Sequence, residues 1–215
     1  MISTLILDLD GPILDTRLRH YQCYHDILSQ HGFEPMPMDM YWSMKRQRKD
    51  RHAQLVVSGA DGIYHEFLSY WLERIEQKEY LKLDQVQSGA VEIVNGWRNS
   101  GLMVNLVTMR NDHDNLLWQM DQLGISSLFN AIQAVGIAAG SAGKASAARS
   151  LIGHLDVKSA LWIGDTEADL ESARLLGIGV CLVENGLRVP DYLASLHPDF
   201  LVPNLRSINF LSSRA

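Results

Sequence analysis

The fold of this chain is decided at residues 5–11, which read Leu-Ile-Leu-Asp-Leu-Asp-Gly. An apolar run ends there in two carboxylates, Asp8 and Asp10, and side chains two apart in a strand lie on one face, about 6 to 7 Å apart. Burying two carboxylates together costs free energy unless a cation or a reaction compensates. Gly11 then permits a sharp turn. Because open α/β sheets bind ligands at the carboxyl ends of their strands, this stretch predicts a buried strand with a site at its end, although an Asp-Gly turn after an edge strand has the same sequence.

Apolar runs and amphipathic helices alternate along most of the chain. We predict strands at six apolar runs, which are residues 2–7, 102–107, 131–135, 159–163, 178–183 and 199–202. The helices between them are predicted to end near Gly101, Gly124 and Gly177, because glycine commonly follows the last apolar position of a helix. This alternation predicts an α/β fold with a Rossmann-like parallel sheet that is covered by helices on both faces.

The stretch from 16 to 89 departs from this alternation, because only helical patterns occur in it. Aromatic and aliphatic residues recur at helical spacing around Tyr24 and again around Phe67. We therefore predict an all-helical cap domain at 16–89, with hinges near 14–17 and 84–89. The catalytic core is predicted to combine residues 1–15 and 90–215.

Composition excludes several classes of protein. The chain has 215 residues, 47% of them hydrophobic, which suits one large domain or a core with a small insert. A net charge of −6 argues against binding to nucleic acid. No apolar stretch is long enough to span a membrane and no leader peptide is evident. Cys23 and Cys181 lie far apart and form no metal-type spacing, so a reduced, cytoplasmic setting is expected.

Four polar motifs follow predicted strands in a fixed order. The first is Asp8 with Asp10, the second is Thr108 after Val-Asn-Leu-Val, and the third is Lys144, which is predicted to open a helix after a glycine-rich loop at 136–143. The fourth is residues 164–169, Gly-Asp-Thr-Glu-Ala-Asp. Each motif alone has an ordinary interpretation as a helix cap, a first-turn acid or a surface lysine. Four of them in this order are poorly explained by coincidence.

The chemistry of the four motifs is mutually consistent. Carboxylates gathered in one crevice repel each other and need a hard cation with oxygen ligands, and Mg²⁺ accepts carboxylates, a backbone carbonyl, water and a phosphate oxygen. A hydroxyl and an ammonium group would hold a phosphoryl group by position and charge. Asp8 could attack phosphorus, and Asp10 could protonate the leaving oxygen.

The ordered motifs resemble those of the haloacid dehalogenase superfamily, whose pattern is DxDG, then Ser or Thr, then Lys, then GDxxxD. The resemblance spans residues 2 to about 185 and implies a phosphatase acting on a small phosphorylated substrate through an aspartyl-phosphate. It implies that Asp8 is the nucleophile, that Asp10 is the acid and then the base, and that Thr108 and Lys144 bind phosphate. The helical insert is similar to the cap of phosphoglycolate phosphatases and β-phosphoglucomutases.

The same resemblance implies a Mg²⁺ site. Its ligands would be Asp8, the backbone carbonyl of Asp10 and Asp165, with Asp169 as a supporting carboxylate. Two further phosphate contacts are candidates beside Thr108, namely the backbone N–H of Met109 and the side chain of Arg110.

The chain departs from the family pattern at a few positions. Pro12 stands where Thr or Val is usual, and its fixed φ and missing N–H could alter the turn after Gly11. Met109 and Arg110 replace the common continuation after the threonine, and Arg110 could be either an anion contact or a solvated arginine.

Other functions are weighed against the phosphatase. A nucleotide-binding P-loop would need glycine at 138 and Ser or Thr at 145, and both positions are alanine. A sugar-phosphate mutase keeps both acids of the first motif and stays open. A non-enzymatic module that binds a phosphorylated ligand or a protein should have lost one of those acids. Residues 45–52 are strongly basic, which is typical of a solvated helix face, though some could meet an anionic substrate. The oligomeric state, monomer or homodimer, is left open.

Overall fold

The structure, a computed structural model, describes residues 2–152 and 157–209. The predicted catalytic core, residues 1–15 and 90–215, includes a few positions that lie outside the described residues. The chain divides into two compact units. The sheet unit comprises residues up to Asp15 and from Val86 onward, and the helical unit comprises Thr16–Gln85, where an insert at 16–89 was expected. That the helical unit acts as a cap stays a prediction.

The sheet unit is built on six parallel strands. They are β1 Thr4–Leu7, β4 Met103–Met109, β5 Ala131–Val135, β6 Ala160–Gly164, β7 Gly179–Val183 and β8 Phe200–Val202. Their order in the sheet is β5-β4-β1-β6-β7-β8. Strand β1 lies between β4 and β6, and its Leu5 pairs with Val104 on one side and Leu161 on the other. The predicted α/β fold with a parallel sheet is confirmed.

Helices cover both faces of this sheet, which explains why its strands are apolar runs without alternation. The helices of the sheet unit are α6 Ala90–Asn99, α7 His113–Gln122, α8 Gly140–Ile152, α9 Glu167–Leu176 and α10 Pro190–Ser195. On one face, Leu5 and Leu7 of β1 share a buried cluster with Val94 of α6 and Met120 of α7. On the other face, Ile6 shares a cluster with apolar residues of α8 and α9.

The helical unit has a core of its own. Its helices are α1 Arg17–Gln30, α2 Met38–Arg46, α3 Arg51–Val57, α4 Tyr64–Arg74 and α5 Lys78–Leu81. Tyr24 and Phe67, around which the sequence predicts apolar stripes, are buried in that core together with Trp71. Near the two ends of the unit, the buried side chains of Arg19 and Asp84 form an ion pair at 3.1 Å. The short strands β2 Leu14–Asp15 and β3 Gln85–Val86 pair separately from the large sheet.

Part of the basic run at 45–52 packs on this core. The charged ends of Lys45 and Arg51 lie 5.8 and 5.0 Å from the centre of the Trp71 ring. Such contacts stabilise a cation against an aromatic face. Arg48, in contrast, is exposed, as expected of a solvated residue. Contact between this run and a substrate stays a prediction.

Helix ends follow the glycine rule, but the glycine-rich segment does not form the predicted loop. Helix α9 ends at Leu176, and Gly177 follows in the left-handed conformation. The predicted loop at 136–143 is wrong, because Ile137–Ala139 forms a 3-10 turn and α8 begins at Gly140. The segment has no proline and is rich in alanine, which favours helix. Along the described parts of the chain, no helix has both the length and the apolarity that crossing a membrane requires.

Candidate active site

The strand order brings the carboxyl ends of β1, β4 and β6 together. The chain leaves β1 for β4 and β5 on one side and later returns to β6 on the other, so the order reverses beside β1, where open α/β sheets have their ligand crevice. Leu7 pairs with Ile163, and the N–H of Asp8 donates to the carbonyl of Ile163 at 2.9 Å. Asp8 and Asp165 are therefore held side by side at the ends of neighbouring strands.

Three carboxylates are buried together at this point. Oxygens of Asp8, Asp165 and Asp169 all lie within 4.8 Å of one another. Burial raises the pKa of Asp8, Lys144 lowers it, and Asp169 raises it further. Burial together with the Asp169 and Asp8 carboxylates also raises the pKa of Asp165 well above its usual value. The cluster thus resists full ionisation unless positive charge is supplied.

Lys144 supplies one such charge. It lies in the second turn of α8, is 1% exposed, and places Nζ 2.6 Å from Asp169 Oδ1 and 3.0 Å from Asp8 Oδ1. Although burial lowers the pKa of Lys144, the Asp169 and Asp8 carboxylates raise it above its ordinary value. Full ionisation of the three carboxylates would leave two negative charges beyond the one that Lys144 balances, and a divalent cation would compensate them.

Asp169 is surrounded by donors. Its Oδ1 accepts from Lys144 and, at 3.1 Å, from the indole N–H of Trp162. Its Oδ2 accepts from the N–H groups of Asp165 and Thr166 and from the Thr166 hydroxyl, at 3.2, 3.1 and 2.7 Å. Burial opposes ionisation, but Lys144 and these donors lower the pKa of Asp169. The structure therefore gives Asp169 the geometry of a charged anchor that fixes the turn carrying Asp165.

Asp165 has one oxygen without such a donor. Its side chain is fully buried, and Oδ2 accepts from the N–H of Leu187 at 2.5 Å. Oδ1 has no hydrogen-bond partner among the residues that the structure describes. A Cβ at either Gly11 or Gly186 would overlap the Asp165 carboxylate, so both positions need glycine for this close approach. A buried, unpaired carboxylate oxygen next to Asp8 fits a hard cation such as Mg²⁺.

Asp10 is paired with Arg110. Arg110 follows β4, is 4% exposed, and donates from Nη2 to Asp10 Oδ1 at 2.6 Å. The alternative of a solvated arginine is therefore wrong. Pro12 is accommodated because the turn after Asp10 uses the N–H groups of Gly11, Ile13 and Leu14. Its missing N–H removes no hydrogen bond from this turn.

Thr108 and Met109 lie at the end of β4. The strand extends two residues beyond the predicted 102–107, so both belong to the strand and not to the loop after it. Thr108 is buried and Met109 is half-buried. Asp8, Asp165 and Asp169 cluster together, Lys144 contacts Asp8 and Asp169, and Asp10 pairs with Arg110. The roles of all these residues in catalysis or binding stay predictions.

The sequence reasoning missed two contributors to the site. Trp162 lies within the predicted strand at 159–163, and its buried indole N–H needs an acceptor, which Asp169 provides. The loop after β7, whose Gly186 and Leu187 contact Asp165, was not considered. The rule that sites lie at the carboxyl ends of parallel strands could have found it, because β7 is the neighbour of β6.

Comparisons with known proteins point to one family and to similar folds. A family model described as haloacid dehalogenase-like hydrolase matches residues 5–183. A haloacid dehalogenase-like family hydrolase from Streptococcus pneumoniae has a similar structure, with a TM-score of 0.78 and 17% identity over 99% of both chains. A predicted phosphoglycolate phosphatase from Haemophilus somnus 129PT has a TM-score of 0.76 and 14% identity over 99% of this chain and 98% of its own. A candidate β-phosphoglucomutase from Thermotoga maritima has a TM-score of 0.72 and 15% identity over 100% of both chains. No curated protein matches the chain in sequence.

Proposed function

Because the chain belongs to the haloacid dehalogenase-like hydrolases, we propose that it is a Mg²⁺-dependent phosphatase that hydrolyses a small phosphorylated metabolite through an aspartyl-phosphate. One observation carries the proposal. The nucleophile candidate Asp8 lies beside Asp165 and Asp169 in a buried cluster whose charge is only partly balanced by Lys144. Alone, this acidic cluster would repel the negative charge of a phosphoryl group. It can support phosphoryl transfer only when a cation lies beside it.

The first half of the reaction transfers phosphate to the enzyme. A carboxylate oxygen of Asp8 attacks phosphorus, the bond between phosphorus and the ester oxygen breaks, and Asp10 gives its proton to that oxygen. Arg110 holds the Asp10 carboxyl in place through its 2.6 Å contact. Lys144 holds the Asp8 carboxylate through its 3.0 Å contact with Oδ1.

The second half restores the enzyme. Asp10 takes a proton from water, the water oxygen attacks phosphorus, and the bond between phosphorus and Asp8 breaks to release inorganic phosphate. Thr108, the Met109 N–H and Lys144 are the proposed contacts of the phosphoryl oxygens. The proposed Mg²⁺ ligands are Asp8, the carbonyl of Asp10 and Asp165, while Asp169 supports them through the Asp165 turn. The chemistry that a bound Mg²⁺ supplies is neutralisation of the phosphoryl oxygens and the acidic cluster.

The test of this function is hydrolysis of p-nitrophenyl phosphate by metal-free protein. Treatment with EDTA should abolish phosphate release and added Mg²⁺ should restore it. Ca²⁺ should restore it poorly, because its larger and looser coordination would misplace Asp8. Full activity of the metal-free protein would refute the metal dependence.

A screen of phosphorylated metabolites distinguishes a phosphatase from a mutase. A phosphatase releases inorganic phosphate in proportion to substrate consumed. A sugar-phosphate mutase, which also needs both Asp8 and Asp10, would convert one isomer into another without net release.

A further inference from the structure

The loop that follows β7 closes on Asp165 from the side opposite β1. The N–H of Leu187 donates to Asp165 Oδ2 at 2.5 Å, and the backbone of Gly186 approaches the same carboxylate too closely for a Cβ. Because Oδ2 is held by Leu187, the orientation of Oδ1 depends on where this loop lies. The loop therefore sets the direction of the oxygen that we assign to the cation.

The loop is tied to the Asp165 turn by a bidentate ion pair. Arg188 donates from Nε to Glu167 Oε2 at 2.7 Å and from Nη2 to Glu167 Oε1 at 2.8 Å. Its Nη1 also donates to the carbonyl of Leu187 at 3.1 Å. Arg188 adjoins Leu187 in the chain, and Glu167 lies two residues after Asp165. The ion pair and the Leu187 hydrogen bond thus connect the same two segments at neighbouring points.

The geometry of the pair is that of a strong, oriented contact. Both side chains are largely buried, with 17% of Arg188 and 21% of Glu167 exposed. A planar guanidinium that meets both oxygens of a carboxylate fixes direction as well as distance, which a single lysine contact does not. Because the pair joins the loop after β7 to the turn that carries Asp165, its effect on the site would act at the Asp165 carboxylate.

We propose that Arg188 and Glu167 are positioning residues that orient the Asp165 carboxylate for a divalent cation. This inference rests on the proposed metal-dependent function. Partners that orient a metal ligand typically change metal affinity 10- to 100-fold when they are removed. The Arg188–Glu167 pair would thus affect the affinity for the cation although neither residue binds the cation itself.

The experiment is calorimetric titration of the metal-free full chain with Mg²⁺ alone. Arg188→Gln and Glu167→Gln should each weaken Mg²⁺ binding about tenfold. The two variants change the local charge in opposite directions. Charge alone would make Arg188→Gln bind the cation more tightly and Glu167→Gln more weakly, so weakening by both variants supports positioning, and opposite changes overturn it.

A matched control comes from Arg174 on α9, whose Nη2 donates to the carbonyls of Leu196 and His197 at 3.1 and 3.2 Å. Arg174→Gln removes the same charge and should leave the Mg²⁺ dissociation constant within about twofold, as expected for a surface side chain away from the site. If either glutamine variant fails to fold, Arg188→Lys decides the matter. It keeps the charge but lacks the bidentate fork, so it should also weaken Mg²⁺ binding.

The two proposals fail in different ways. If the wild-type chain binds Mg²⁺ and all three variants of the pair bind it equally well, the positioning role is overturned and the proposed function stands. If the wild-type chain binds no Mg²⁺, the metal-dependent function fails, and the positioning role is overturned with it.

Discussion

Asp165 and Asp169 belong to one short motif, yet they have different surroundings. Asp169 receives hydrogen bonds on both oxygens, including one from the buried ammonium of Lys144. Asp165 is equally buried, but within the described parts of the chain its carboxylate receives one bond, from Leu187. In the metal-free protein a charge on Asp165 is therefore a cost to stability, whereas the charge on Asp169 is compensated.

Asparagine substitutions should separate these two roles. Asp169→Asn leaves Lys144 with fewer partners and should lower the free energy of unfolding by about 3 kcal/mol. Asp165→Asn removes a carboxyl group whose ionisation is unfavourable in the buried cluster, so it should raise the metal-free stability by about 1 kcal/mol while abolishing Mg²⁺ binding. Urea unfolding and Mg²⁺ titration of both variants measure these effects. Equal loss of stability in both variants would contradict the distinction.

The two acids of the first motif should also differ in their effects. Asp8→Asn should eliminate turnover, because no aspartyl-phosphate can form on an amide. Asp10→Asn should slow turnover on the order of 10²- to 10⁴-fold, the usual contribution of a positioned acid and base. The loss should be larger for alkyl phosphates, whose leaving groups need the proton. Steady-state kinetics with an alkyl and an aryl phosphate provide the measurement, and near-wild-type activity of Asp8→Asn would rule out its role as nucleophile.

At the scale of the element, α8 determines where Lys144 lies. The first turn of this helix packs against β5, because a Cβ on Gly143 would overlap Ala139 and come within 2.8 Å of Val135 Cγ1. The glycine thus serves a close approach of helix to strand, not a loop. Lys144 follows it directly and is fully buried as a result.

Alanine substitution at two helical glycines tests this packing. Gly143→Ala should destabilise the protein by about 1 to 3 kcal/mol, the usual cost of overpacking. Gly96→Ala is the matched control, because Gly96 lies in α6 with nothing near its Cβ position. It should stabilise the protein by about 0.4 to 1 kcal/mol through the unfolded state. Chemical denaturation of both variants gives the answer, and a stabilising Gly143→Ala would show that the helix can shift from the strand.

Strands and helix ends could be predicted from sequence because local composition sets them. The predicted run at 131–135 coincides with β5, and the glycine after α9 ends that helix as expected. The segment at 136–143 was misjudged because three of its eight residues are glycine, which locally favours a turn. The same segment packs against β5 through Gly143, a contact between residues that periodicity does not relate.

At the scale of the whole molecule, the interruption of strand and helix alternation near residue 16 predicted a separate helical block. The helical unit Thr16–Gln85 has a core of aromatic and aliphatic residues distinct from the clusters on the sheet. The candidate site was predictable as a set of acids and a lysine, because parallel strands end at one edge. The sequence could not predict which acid has hydrogen bonds to both oxygens and which keeps an unpaired one. That difference depends on Trp162, Leu187 and Lys144, which lie in three different parts of the chain.

The indole of Trp162 gives the protein an internal optical probe. Its N–H is bonded to Asp169, and the Lys144 ammonium lies 5.5 Å from the ring centre. Indole emission shifts with the electric field across the ring, so arrival of a cation or a phosphate ester beside this cluster should alter the intrinsic fluorescence. Titration of the wild-type chain with Mg²⁺ should show this change, and Trp162→Phe should lose it, whereas an unchanged response of that variant would assign it to another tryptophan. Binding could then be followed in unlabelled protein, with compounds that are never turned over.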